Sequence, residues 1–127
     1  YQEGTNSIDY SRKDDFHWIS MIRQPEFVTE EVFETAKAAL SKKNQSLDIS
    51  KARLMRYTEG LCVQLMHTGP YDDEPASIAK LERFADENGY AEDFETGRYH
   101  HEIYLSDPRK CAPERLRTVI RHPVIKK

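Results

Sequence analysis

The sequence predicts an α+β fold, and three observations carry that prediction. Two stretches, Thr29 to Lys43 and Asp72 to Asn88, repeat apolar residues at helical spacing behind acidic, cap-forming starts. Runs rich in aromatic and branched residues lie between and after them, several alternating with period two. Pairs such as Gln24-Pro25, Gly69-Pro70, Asn88-Gly89 and Asp107-Pro108 punctuate the series as breakers.

Taken in order, Tyr1 to Lys13 is polar and rich in turn formers, with one weak strand signal at most. Phe16-His17-Trp18-Ile19-Ser20-Met21-Ile22-Arg23 reads as a strand with apolar groups on both faces, hence a central one. Thr29 is a good N-cap, Glu30 and Glu31 suit the positive end of a helix dipole, and Val28 with Phe33 fits a hydrophobic staple. Val32, Phe33, Ala36, Ala39 and Leu40 form the apolar stripe of that helix, and Lys42-Lys43 close it.

Lys51 to Tyr57 reads as a strand, Glu59-Gly60 as a turn, and Leu61 to Thr68 as a further strand. Asp72-Asp73-Glu74-Pro75 opens the second helix, with Pro in the first turn where its missing N–H costs nothing. Ile78, Leu81, Phe84 and Ala85 are its expected buried stripe, and Asn88-Gly89 its stop. Tyr99 to Leu105 is a strand, Pro113 to Arg115 a short turn, and Leu116 to Ile120 the last strand. The second half is thus strand, helix, strand, strand. Its two flanking strands would run parallel across the helix, and the last two would return as a hairpin.

Composition excludes several functions. The chain has 127 residues, enough for one domain or for one domain with part missing. A hydrophobic fraction of 38% and a mean hydropathy of -0.80 argue against a membrane protein. The polar start lacks the basic and apolar segments of a signal peptide, and the missing Met suggests a truncated chain. With 19 Lys and Arg against 22 Asp and Glu, the net charge of -3 disfavours nucleic-acid binding, which needs cations to displace counterions. The basic residues near the C-terminus read as a solvated face. Cys62 and Cys111 stand isolated and suit free thiols in a reducing cytoplasm.

Two glutamates stand out. Glu102 shares a strand face with His100 and Tyr104, whereas Ile103 and Leu105 should point into the core. A carboxylate beside aromatic rings loses hydration, so its pKa should rise. The plain alternative is an exposed strand glutamate. Glu74 is either an acid that caps its helix, or a second acid over a pocket that the helix dipole keeps ionised. Phe16, Trp18, Tyr71, Tyr99 and Tyr104 could line a cage for a flat ligand, although Phe16 and Trp18 are equally plausible as core. His67, His100 and His101 have no spacing of a metal motif, and no nucleophile elbow or Gly-rich phosphate loop is present. No metal or other cofactor is expected.

Certain strings resemble a known family. Gly60 to Pro75 (GLCVQLMHTGPYDDEP), His101 to Pro108 (HEIYLSDP) and Leu116-Arg117-Thr118-Val119 resemble the GyrI-like small-molecule-binding family, which includes ligand-binding domains of multidrug-sensing regulators. Lys13 to Trp18 (KDDFHW) and Met21 to Thr29 are similar to a stand-alone subfamily that hydrolyses the cyclopropane ring of flat DNA-alkylating natural products. The resemblance covers residues 13 to 121. It implies one domain over 1–127, built from strand–helix–strand–strand modules with an antiparallel-rich sheet and helices on one face. The second module would be complete and the first would lack its opening strand and helix.

The resemblance also implies an acid at Glu102 facing a hydrophobic or cationic aromatic ligand, and a cofactor-free hydrolase in which Glu102 or Glu74 is the base. A binding or sensing module without chemistry stays open beside it, as do a gyrase-inhibitor-like interaction and a homodimer.

Overall fold

The computed structural model describes residues 13–94 and 97–127, so the weak strand signal within residues 1–12 lies outside the described residues. The chain divides into two compact units, one up to Tyr57 and one from Thr58 onward.

The first unit holds a 3-10 turn at Lys13–Asp15 and the helix α1, Glu30–Lys43. Thr29 caps α1, its hydroxyl accepting from the Val32 amide at 3.4 Å. Acidic Glu30 and Glu31 begin the helix and Lys42 and Lys43 end it, as the dipole favours. The expected stripe forms but is not buried: Val32 and Leu40 are exposed, and no α1 residue is buried. The two strands expected here, at 16–23 and 51–57, carry no ladder. A strand is defined by the neighbour it bonds, and none of the described residues in this unit supplies one.

The second unit contains β1 (Cys62–Thr68), α2 (Glu74–Glu87), β2 (Tyr90–Glu92), β3 (His101–Tyr104) and β4 (Arg117–Lys126). Strand β4 is central. It pairs antiparallel with β1 along one side, and with β3 and β2 in turn along the other. The parallel relation expected of β1 and β3 is therefore one of direction only, since β4 separates them. β4 also runs six residues beyond the predicted end at Ile120, to Lys126, through the fully buried Pro123.

The register fixes which side chains share a face. Leu65 lies opposite Ile120, His67 opposite Thr118, Glu102 opposite Ile120, and Tyr104 opposite Thr118. That face is the buried one, with Val63, Ile120 and Val124 meeting Ile78, Leu81 and Ala85 of α2. Ile103 and Leu105 lie on the other face and are exposed, so the expectation that they enter the core is reversed. Phe84 is likewise 58% exposed, outside the α2 stripe it was assigned to.

Arg98 ties the loop after β2 to the sheet. It pairs with Asp93 and donates to the carbonyls of Leu61 and Val124, each at 3.1 Å. Gly60 makes room for that guanidinium: its φ is +72°, and a Cβ there would meet Arg98 Nη1 at 2.9 Å.

Candidate functional site

Helix α2 buries Glu74, Ile78, Leu81 and Ala85 at a spacing of four, three and four residues. The first member of an otherwise apolar stripe is thus a carboxyl, held 3% exposed against the sheet. Glu102 reaches the same place from β3, because register puts it on the α2 face. The two carboxyls are near enough to act on one another: the Glu102 charge helps to raise Glu74, and Glu74 helps, as the smallest of several causes, to lower Glu102.

Their environments then diverge. Burial first, and the Glu102 charge second, push Glu74 up to about 7. Glu102 is lowered, chiefly because the His100 Nε2–H donates to its Oε1 at 2.9 Å. The Tyr104 hydroxyl donates to the other oxygen, Oε2. Both expectations from sequence are inverted. Glu102 was to be the raised acid and Glu74 the ionised one, but hydrogen bonds to the anion outweigh burial at Glu102, and burial outweighs the helix dipole at Glu74.

The aromatic candidates sort by position. Tyr71, in the 3-10 turn before α2, meets Tyr104 edge to face at 5.5 Å between ring centres. Both phenols are pushed up, mainly by burial and then by the neighbouring carboxyls, so both remain donors. Tyr71, Glu74, Glu102 and Tyr104 therefore form one cluster at the start of α2. Tyr99 is out of phase with Glu102 and 52% exposed. Phe16 and Trp18 belong to the first unit, Phe16 half-buried and Trp18 79% exposed. Two buried oxygens, Glu74 Oε1 and Thr118 Oγ1, make no standard hydrogen bond within the protein.

Behind Glu102 stands a group that the sequence reading did not reach. His100 Nδ1 meets His122 Nε2 at 2.8 Å, and His122 Nδ1 meets Glu92 Oε1 at 2.5 Å. Phe94 packs edge-on to the His122 ring at 5.2 Å. The signal was present, since His122 follows Ile120 at period two, but β4 had been ended too early. His67 is a structural histidine: its Nε2–H donates to the Pro70 carbonyl at 3.0 Å, and its Nδ1 accepts from Ser77 at 2.9 Å.

Donor atoms of Glu82, Glu92 and His122 fall within 4.8 Å of one another, the one such group among the described residues. Two ligands of a common metal, each bonded at about 2.1 Å, would stand roughly 3.4 Å apart. The 2.5 Å between His122 and Glu92 is instead a hydrogen-bond distance. We read the group as proton-linked.

The GyrI-like small-molecule-binding domain model matches residues 21–125. The chain belongs to the GyrI-like family. This GyrI-like chain is similar to a Listeria innocua hydrolase of known crystal structure, with 47% identity over 81% of this chain and 52% of the other, and a TM-score of 0.76. It is also similar to an uncharacterized conserved Listeria innocua protein, with 45% identity, a TM-score of 0.91, and coverage of 98% of this chain and 60% of that one. The chain thus spans between half and two-thirds of the length of these structures. No protein of curated function matches it. Among the described residues no helix is long and apolar enough to cross a membrane.

Proposed function

We propose that this GyrI-like chain, acting as a single ligand-binding domain in the cytoplasm, binds flat hydrophobic xenobiotics and opens a strained electrophilic ring in them by hydrolysis. The observation that carries the reading is the unequal carboxyl pair. Two adjacent acids of one residue type, one near 7 and one held ionised, divide the roles of base and electrostatic partner. The hydrolase name of a similar Listeria protein supports the reaction class.

Glu74 is the base. A base works best when its pKa lies near the working pH, and both oxygens of Glu102 are already occupied by donors. Glu74 takes a proton from a water as that oxygen bonds to the ring carbon. The strained carbon–carbon bond breaks, and its electron pair passes into the ligand's conjugated system as a phenolate, which is then protonated from solvent. The Glu102 charge raises the basicity of Glu74, while Tyr71 and Tyr104 offer ring faces for stacking. Tyr99, in the same unit, is a further ligand contact. No cofactor enters this chemistry.

The occupied oxygens of Glu102 also favour a second reading, in which the anion serves only as counter-charge to a cationic ligand that leaves unchanged. Mass spectrometry of a cyclopropane-bearing ligand after incubation separates the two. A gain of one water, abolished by Glu74→Gln, supports hydrolysis; recovery of the intact compound from wild-type protein refutes it.

A further inference from the structure

We propose that Glu92, His122 and His100 form a chain of positioning residues, buried at His122, that holds one positive charge behind Glu102 and keeps its carboxylate aimed at Glu74. The proposal rests on the reading of Glu74 and Glu102 as the site.

The chain crosses three strands. Glu92 is on β2, His122 on β4, His100 just before β3, and Glu102 within it. Its contacts measure 2.5, 2.8 and 2.9 Å in that order. His122 is 3% exposed, fixed between Phe94 at 5.2 Å and the His100 ring at 4.9 Å.

Counting protons gives the charge. A carboxylate only accepts, so His122 Nδ1 donates to Glu92 and His100 Nε2 donates to Glu102. The remaining contact joins two ring nitrogens, and one of them must carry a hydrogen. Three hydrogen bonds therefore need three N–H groups, whereas two neutral imidazoles own two. With both glutamates ionised, one proton more than neutrality resides on the ring pair, shared across the central nitrogen–nitrogen contact. It is compensated from two ends, by Glu92 and by Glu102.

Other groups facing the pair are Glu82 of α2, raised by burial and by the Glu92 charge, and, beyond Glu102, Glu74, Tyr104 and Tyr71. None of these is a cation. The ring pair thus supplies the positive charge next to Glu102 among the described residues, and Glu92, 33% exposed at its side chain, is the link to solvent.

The test begins without ligand. Long-range proton–nitrogen NMR of the histidine rings near pH 7 should show three protons over His100 and His122, with the third exchanging between them. Two neutral rings would overturn the proposal. Next, His122→Phe keeps the ring volume beside Phe94 but removes both nitrogens, and a thermal melt verifies folding. Ring opening should slow at least about tenfold, part of what a positioned base supplies, with KM little changed and the pH–rate profile displaced.

Glu92→Gln keeps an oxygen to accept from His122 but no charge, and should slow the reaction by a smaller factor. Wild-type rates and pH profiles in both variants would overturn the assignment. Should wild-type protein open no ring at all, the three-proton count still upholds the chain while the proposed reaction falls.

Discussion

At the scale of single residues, Glu74 behaves as it does because it occupies an apolar position. Its helix stripe turns it into the sheet, and the dipole of α2 is too weak to offset lost hydration and the neighbouring Glu102 charge. Glu74→Gln should lower the ring-opening rate by about 10²–10⁴-fold while leaving ligand affinity largely intact, as measured by stopped-flow absorbance and calorimetry. In wild-type protein the rate should climb as pH rises through about 7, because the base is the ionised form.

Stability should respond in the opposite sense. The folded-state pKa lies above the ordinary glutamate value of 4.5, so between 4.5 and about 7 the folded chain holds the proton that the unfolded chain releases. Stability attributable to this group is therefore lost as pH rises through that window. Glu74→Gln should stabilise the protein by up to about 3 kcal/mol above the window and by almost nothing below it, read from urea melts at several pH values.

At the scale of elements, much was legible and the exceptions have physical causes. α2 was readable because Ile78, Leu81 and Ala85 keep helical spacing and Asn88-Gly89 stops them. Leu81→Ala, at a position 2% exposed, should cost about 2–5 kcal/mol in chemical denaturation. The turn before β1 was read from Glu59-Gly60, but not that Arg98 would press against it. Gly60→Ala should cost about 1–2 kcal/mol, through its left-handed backbone and the displaced guanidinium.

β2 escaped notice because three residues cannot display a period, and Tyr90–Glu92 is held by its pairing with β4. The expected β4 ends at Ile120, yet pairing with β1 and β2 carries the strand through Pro123 to Lys126. That shortening hid His122, and with it the support of Glu102. The strands expected at 16–23 and 51–57 show the converse limit: a strand's sequence pattern does not supply its neighbour.

At the scale of the whole molecule, the α+β architecture followed from alternating periods and the family from a few strings, and the domain match over residues 21–125 agrees with both. Glu74 and Glu102 stood out in the sequence as candidates, but the directions of their pKa shifts did not. Those depend on cross-strand partners, His100 and Tyr104 around one carboxyl and a closed apolar seam around the other. A Tyr104→Ala variant should weaken binding of a flat aromatic ligand by about 1 kcal/mol, read by calorimetry, as ring-to-ring contact is lost.

The account stands on the inequality of its two carboxyls. Carbon-detected NMR titration of the glutamate side chains in ligand-free protein measures it directly. Glu74 should change charge near 7 while Glu102 stays ionised to below the ordinary glutamate range. Titration of both side chains together at an ordinary glutamate value would contradict it.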